Sequence, residues 1–200
     1  LVKGGVAVDA LELIFEHPGC TAVLLCTAVC MLSAMNDMAT PSVSLEAKHL
    51  WLVQSLPIPP WQVLQAKLSV QLLLTGIPAL FCCVCVQFLC PVSPVERVLL
   101  VLVPLLYVLL SALFGLFLGV KMPNLTWTNE LAPIKQSASV MIALLGGWAY
   151  GVALAGLYLA FAWRLGLALY LTLFALVTAV GCVVLYRWLK PRGAELFASL

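Results

Sequence analysis

The sequence predicts an all-α fold, a polytopic integral membrane helix bundle with about five transmembrane helices, and three observations predict it. Apolar residues make up 64% of the 200 positions and charged residues 9%, with a mean hydropathy of +1.13. A water-soluble domain carries roughly 25% charged and 45–50% apolar residues, so this chain has too little polar surface to cover a soluble globule. The apolar residues are also gathered into uncharged runs close to the ~20 residues that a helix needs to cross a bilayer. Lys and Arg, finally, fall unevenly between the segments that join those runs.

The whole chain, 1–200, reads as one transmembrane domain. Its opening, GGVAVDALELIFEHPG, carries Asp9, Glu12 and Glu16 and reads as an interfacial or extramembrane segment, or as the remnant of a hairpin. There is no cleavable leader pattern, and a start at Leu1 without an initiator Met predicts a fragment with further helices upstream. Pro18-Gly19 marks the turn into the first span. The five spans lie at about 19–36, 68–90, 98–120, 138–161 and 165–187. Thr21, Thr27 and Ser33 dilute the first. The third, VLLVLVPLLYVLLSALFGLFLGV, is the clearest, and its 23 uncharged residues reach about 34 Å at ~1.5 Å per residue. Pro78, Pro104 and Gly146-Gly147 can kink or loosen their helices. Gly115-x-x-x-Gly119 and Gly147-x-x-x-Gly151 permit close helix contact, within the core or between copies.

Orientation follows from the basic residues. Lys48, Lys67, Lys121, Lys135, Arg187, Lys190 and Arg192 share one side in an alternating topology, against Lys3, Arg97 and Arg164 on the other. The positive-inside bias therefore predicts a multi-pass protein of the cell membrane, with an insert at 37–67, a loop at 121–137 and a C-terminal tail at 188–200 all in the cytoplasm. PVSPVER and the Trp163-Arg164 corner leave short loops on the opposite side.

The insert is the most informative stretch: SLEAKHLWLVQSLPIPPWQVLQAKL, residues 44–68. Ser44 is placed as an N-cap, with Glu46 in the first turn, where the helix dipole favours an anion. A helix over 45–56 puts Leu45, His49, Leu52 and Leu56 on one stripe. Pro57 breaks it, and Pro60 suits the first position of a second helix that carries Trp61, Val63, Leu64 and Leu68 into span two. Lys67 is an interface anchor at that entry. Such an amphipathic helix can serve only to seat a loop in the headgroup layer, with Trp as anchors. In the 121–137 loop, Trp127 and Pro123 can hold the backbone at the interface, while Glu130 and Lys135 pair locally or meet a partner.

The order Glu46, Lys48, Trp51-Leu52, Ser55-Leu56-Pro57, Trp61, Leu64 and Lys67-Leu68 resembles the permease subunits of type-2 ABC exporters. Ala66 stands where that family often has Gly, and its acidic-basic-acidic opening is reduced here to Glu46 and Lys48. Pro123-Asn124, Trp127, Asn129-Glu130, Ile134-Lys135-Gln136-Ser137 and the closing RWLKPRGAELFASL are similar to a bacterial branch of ABC exporter permeases. The resemblance implies a non-enzymatic subunit that works with a separate cytoplasmic P-loop ATPase and a second permease copy. It also implies docking or coupling roles for Glu46, Lys48, Trp51, Ser55, Pro57, Trp61 and Lys67, with Trp127, Asn129, Glu130 and Lys135 as a secondary contact.

Other classes fare worse. Ten basic residues scattered over the chain form no face for nucleic acid. The sequence has no G-x-x-x-x-G-K-[ST] phosphate loop, no H-E-x-x-H and no G-x-S-x-G. Cys82-x-x-Cys85 matches a metal spacing, but no His or second Cys pair accompanies it, and the eight Cys read as apolar packing residues. His17 and His49 are isolated. No metal or cofactor is expected. The remaining alternatives are a membrane scaffold that holds a soluble partner and a membrane-embedded lipid-modifying enzyme.

Overall fold

The computed structural model describes residues 19–200, apart from 56, 91, 128, 130–133, 135, 136 and 161 and the side chains of His49, Val53, Ala162 and Trp163. The acidic opening segment, Glu130 and Lys135 lie outside the described residues.

The described residues form helices joined by turns and short irregular segments. In chain order they form α1 (Cys20–Met35), α2 (Ala39–Leu45), a 3-10 turn (Ala47–His49), α3 (Leu50–Ser55), α4 (Pro60–Leu89) and α5 (Pro94–Lys121). Then come α6 (Ala138–Ala160), a second 3-10 turn (Ala162–Leu165), α7 (Leu167–Trp188), a wide π turn (Leu189–Gly193) and α8 (Ala194–Ala198). Five stretches are long and apolar enough to cross a bilayer: Cys20–Leu45, Pro60–Leu89, Pro94–Lys121, Ala138–Ala160 and Leu167–Ala198. The chain is a multi-pass helical membrane protein by that measure.

Local chemistry explains the boundaries. Pro60 occupies the first turn of α4, where its missing N–H costs nothing. Ser93 and Glu96 form a reciprocal capping box at the start of α5, the Ser93 N–H donating to Glu96 Oε2 at 2.9 Å. Lys121 closes the same helix at its negative dipole end. Pro78 and Pro104 sit inside α4 and α5 without ending either helix.

α5 is the hub, packed against α1, α2, α4, α6 and α7. One end of it joins Cys26, Cys30, Cys83 and Leu154 around Val103 and Tyr107, and the other joins Val43, Leu64 and Phe197 around Leu113 and Leu116. Lipid tails are as apolar as Leu, so in a bilayer close packing, not burial from water, holds helices together. Two glycine pairs provide it. A Cβ on Gly115 would stand 2.7 Å from Thr40 Oγ1, and one on Gly119 would stand 2.5 Å from the Thr40 carbonyl oxygen, so α2 lies directly on the α5 backbone. Gly147 and Gly151 admit Ala34 and Met31 of α1 in the same way, at 2.6 and 2.8 Å. Both motifs thus make contacts within the chain. Faces turned away from the core are apolar, as lipid requires; Phe88 on α4 is 87% exposed.

The insert, the segment after α5 and the C-terminal helix gather at one end of the bundle. Trp127 Nε1 donates to the Ser44 carbonyl at 2.6 Å, and Gln54 Nε2 donates to the Phe197 carbonyl at 3.1 Å. Lys48, Lys67, Lys121, Arg187, Lys190 and Arg192 belong to this basic end, Arg97 and Arg164 to the other. The tail is no free extension: it continues α7 through the π turn into α8, burying Leu189 and Phe197.

Two details differ from the sequence reading. The first crossing does not stop near residue 36 but resumes as α2 and runs to Leu45. Ser44 is no N-cap and no single helix covers 45–56. Its hydroxyl accepts the Asn124 N–H at 3.0 Å and its carbonyl takes the Trp127 indole, so both polar groups are committed to a distant segment. Within α3 Leu50 is buried (5% exposed), while Leu52 faces outward.

Candidate functional site

The first crossing is interrupted at Asn36-Asp37-Met38, residues whose first two side chains compete with the helical backbone for hydrogen bonds. The Asn36 N–H donates to the Ser33 carbonyl at 3.2 Å, tightening the end of α1. Asp37 then starts α2: Oδ1 accepts the Thr40 N–H at 3.2 Å and Oδ2 accepts the Thr40 hydroxyl.

Such a break leaves backbone groups without helical partners, and in hydrocarbon each one costs several kcal/mol unless another group satisfies it. Gln71 of α4, only 2% exposed, supplies both kinds of partner. Its Oε1 accepts the Met38 N–H at 2.8 Å, and its Nε2 donates to the Asn36 carbonyl at 2.7 Å and to Thr75 Oγ1 at 2.8 Å. Thr75 Oγ1 donates to the same carbonyl and accepts from Asn36 Nδ2, each at 3.2 Å. A side-chain amide and a hydroxyl one turn apart on α4 thereby stitch the two halves of the crossing together.

Beside this stitch lies a half-enclosed cavity of about 230 Å³. Asn36, Asp37 and Gln71 contribute polar atoms; Tyr107, Tyr150 and Phe114 contribute aromatic rings; Gly146 and Gly147 add no side chain. Tyr107 is midway along α5 and Gly147 near the middle of α6, so the cavity is at membrane depth. The Tyr107 and Tyr150 rings are 4.6 Å apart, and Tyr150 Oη is paired with Thr178 Oγ1 at 3.0 Å. The Tyr107 hydroxyl is buried with no hydrogen-bond partner.

The residues singled out in the sequence belong to a second assembly, at the basic end. Lys67 Nζ pairs with Glu46 Oε1 at 2.6 Å and donates to the Ser42 carbonyl at 3.2 Å. Lys48 Nζ sits 4.4 Å over the Trp127 ring, a cation–π contact. Trp61 meets Tyr186 edge to face at 5.4 Å, and Ser55 Oγ closes the last turn of α3 on the Leu52 carbonyl at 2.8 Å. Trp51 is 67% exposed, and Pro57 and Asn129 are exposed too. Glu46, Lys48, Lys67 and Trp127 are thus brought together with α2, while Trp51, Ser55 and Pro57 project from that base.

Sequence reasoning gave no role to Gln71, Asn36, Asp37 or Tyr107. The available signal was the Asn-Asp pair inside an otherwise apolar stretch and a Gln-Thr pair at i, i+4 on the neighbouring span. Among the described residues no group of three or more His, Cys, Asp or Glu side chains could hold a metal ion.

The chain is therefore a polytopic helical membrane protein with a broken first crossing and, beside the break, a largely apolar cavity that carries a few polar groups. No protein-family model, curated protein or solved structure matches it.

Proposed function

We propose that this chain is the permease subunit of an ATP-driven exporter of the ABC type. It works in the cell membrane with a second permease copy and a separate P-loop ATPase, and its basic end, including the C-terminus, faces the cytoplasm. The resemblance of residues 46–68 and 123–137 to such permeases suggests the class. The observation that carries the reading is the interrupted first crossing beside a cavity at membrane depth. Broken helices around a mid-membrane site are how transporters expose polar groups to cargo. A scaffold that only holds a soluble partner has no use for one.

Coupling has a short physical route. A partner pressing on α3 at Trp51 and Leu52 loads a base fixed by the Glu46–Lys67 pair. Lys67 and Gln71 are one turn apart on α4, so a tilt of that helix moves the amide that stitches the break. Alternate access then amounts to re-seating α2 against α5.

Reconstitution in vesicles with the ATPase that copurifies from native membranes tests this. ATP hydrolysis should rise when the permease is present, and Glu46→Ala or Pro57→Gly should abolish most of that rise while insertion stays normal. Labelling of Trp51→Cys from the outer surface, or cargo movement with no nucleotide-hydrolysing partner, would overturn the reading.

A further inference from the structure

We infer that the cavity at the break binds a small organic ammonium ion, one with a single apolar group about the size of a phenyl ring. The cavity's only charge among the described residues is the Asp37 carboxylate, and no basic side chain there pairs with it. A carboxylate beside apolar walls repels an anion and gains at most a hydrogen bond from a neutral molecule, whereas a cation offsets its charge where the dielectric is low. Tyr150 and Phe114 line the same space with aromatic rings, whose faces attract ammonium groups by their quadrupoles, and the Tyr107 ring packs against Tyr150 at 4.6 Å. The Tyr107 hydroxyl lies against Gly147, buried and unpartnered, and a small shift of its ring brings a lone pair to an ammonium N–H.

Size agrees with this. At ~30 Å³ for each liquid water, about 230 Å³ corresponds to roughly eight waters, room for a compact ligand but not for a lipid with two chains. The small side chains at Ala34, Ala143, Gly146 and Gly147 leave the apolar group somewhere to lie. An alkali ion would gain little from the ring-lined, largely apolar remainder of the walls.

The inference rests on the permease reading only in treating this ligand as cargo; binding itself needs no ATPase. Radiolabelled phenethylamine should therefore bind saturably to the whole protein in nanodiscs, beyond the uptake of empty nanodiscs. 2-Phenylethanol, of equal size and still able to hydrogen-bond but uncharged, should compete at least tenfold more weakly. Asp37→Asn, which keeps an oxygen for the Thr40 N–H, should weaken binding at least tenfold, and Tyr107→Phe about threefold to tenfold. Ala143→Leu fills the cavity without touching the stitch and should remove binding from a protein that still elutes as one species.

Equal competition by the alcohol, full binding by Asp37→Asn, or displacement of the amine by sodium at physiological concentration would each overturn the assignment. Amine binding with no coupled ATPase would sink the exporter reading alone. Coupled export of a neutral or anionic cargo with no amine binding would sink this one alone.

Discussion

Two short breaks between helices in this chain, at 36–38 and 57–59, are treated in opposite ways by the structure. At Asn36-Asp37-Met38 the broken backbone is closed by Gln71 and Thr75 from another helix. At Pro57-Ile58-Pro59 the chain turns with its side chains exposed, held at its far edge by the Gln62 N–H on the Pro59 carbonyl at 2.9 Å. Solvent explains the contrast. Water can satisfy any group the second turn leaves open, whereas hydrocarbon satisfies none, so the first break exists only because its partners are built in. A turn with few internal ties is free to be gripped from outside; a stitched break changes state only when its partners move.

The sharpest way to break that contrast is Gln71→Leu. It strands the Met38 N–H and one bond of the Asn36 carbonyl in an apolar interior, at about 1–3 kcal/mol for each group. A loss of roughly 2–5 kcal/mol is expected, read as a fall on the order of 10 °C in the unfolding temperature in detergent. Gln54→Ala, which removes the amide bond to the Phe197 carbonyl at the exposed insert, should stay within about 1 kcal/mol. Equal losses from the two variants would show that the interior stitch carries no special weight.

The seating of α2 gives the next largest effect. A methyl at Gly119 meets the Thr40 carbonyl at 2.5 Å, and backbone cannot swing aside as a side chain can. Gly119→Ala should therefore cost about 1–3 kcal/mol by overpacking. Gly76→Ala on α4, where nothing lies within 4 Å of the new methyl, should be neutral or gain up to about 1 kcal/mol from helix propensity. Thermal unfolding of the pair side by side separates close approach from a general intolerance of change at glycine.

How much of this the sequence disclosed follows the same division. Runs of Leu, Val and Phe report burial in lipid residue by residue, so the crossings near 98–120, 138–161 and 165–187 lie within a few residues of α5, α6 and α7. Pro60 opens α4 where a ring without an N–H belongs. What stayed hidden depends on partners far along the chain. Asn36-Asp37 looks like the end of a span until Gln71, on another helix, is seen to satisfy it. Ser44 looks like an N-cap until Asn124 and Trp127 claim its hydroxyl and carbonyl. Lys67 was placed at the entry to span two, but its pairing with Glu46 joins residues that no short-range spacing rule connects. The Ser93-x-x-Glu96 capping box, by contrast, is a local signal that was legible and passed unread.

Trp127→Phe probes the joint between the two regions. It keeps a ring under Lys48 but loses the 2.6 Å indole bond to the Ser44 carbonyl. One hydrogen bond is worth about 1 kcal/mol net, so a small fall in unfolding temperature is expected. Trp127→Ala, which removes the cation–π contact as well, should cost more, and equality of the two would assign the whole effect to the hydrogen bond.

The smallest effect on stability falls at the residue with the largest expected effect on coupling. Trp51 is 67% exposed, and substitutions at such sites usually change stability by no more than about 0.5 kcal/mol. A Trp that only seats the insert in the headgroup layer can be replaced by another interfacial aromatic, because the layer asks for an amphipathic ring and no particular shape. A Trp that fills a pocket on a motor protein cannot, since truncating a buried aromatic anchor commonly costs 2 kcal/mol or more of binding. Trp51→Ala and Trp51→Tyr should then leave the unfolding temperature and membrane insertion alike. The docking role requires that both lower permease-stimulated ATP hydrolysis, the Ala variant the more. If Tyr restores it fully while Ala shifts only the depth of the insert in the bilayer, residue 51 anchors a loop and the motor grips elsewhere.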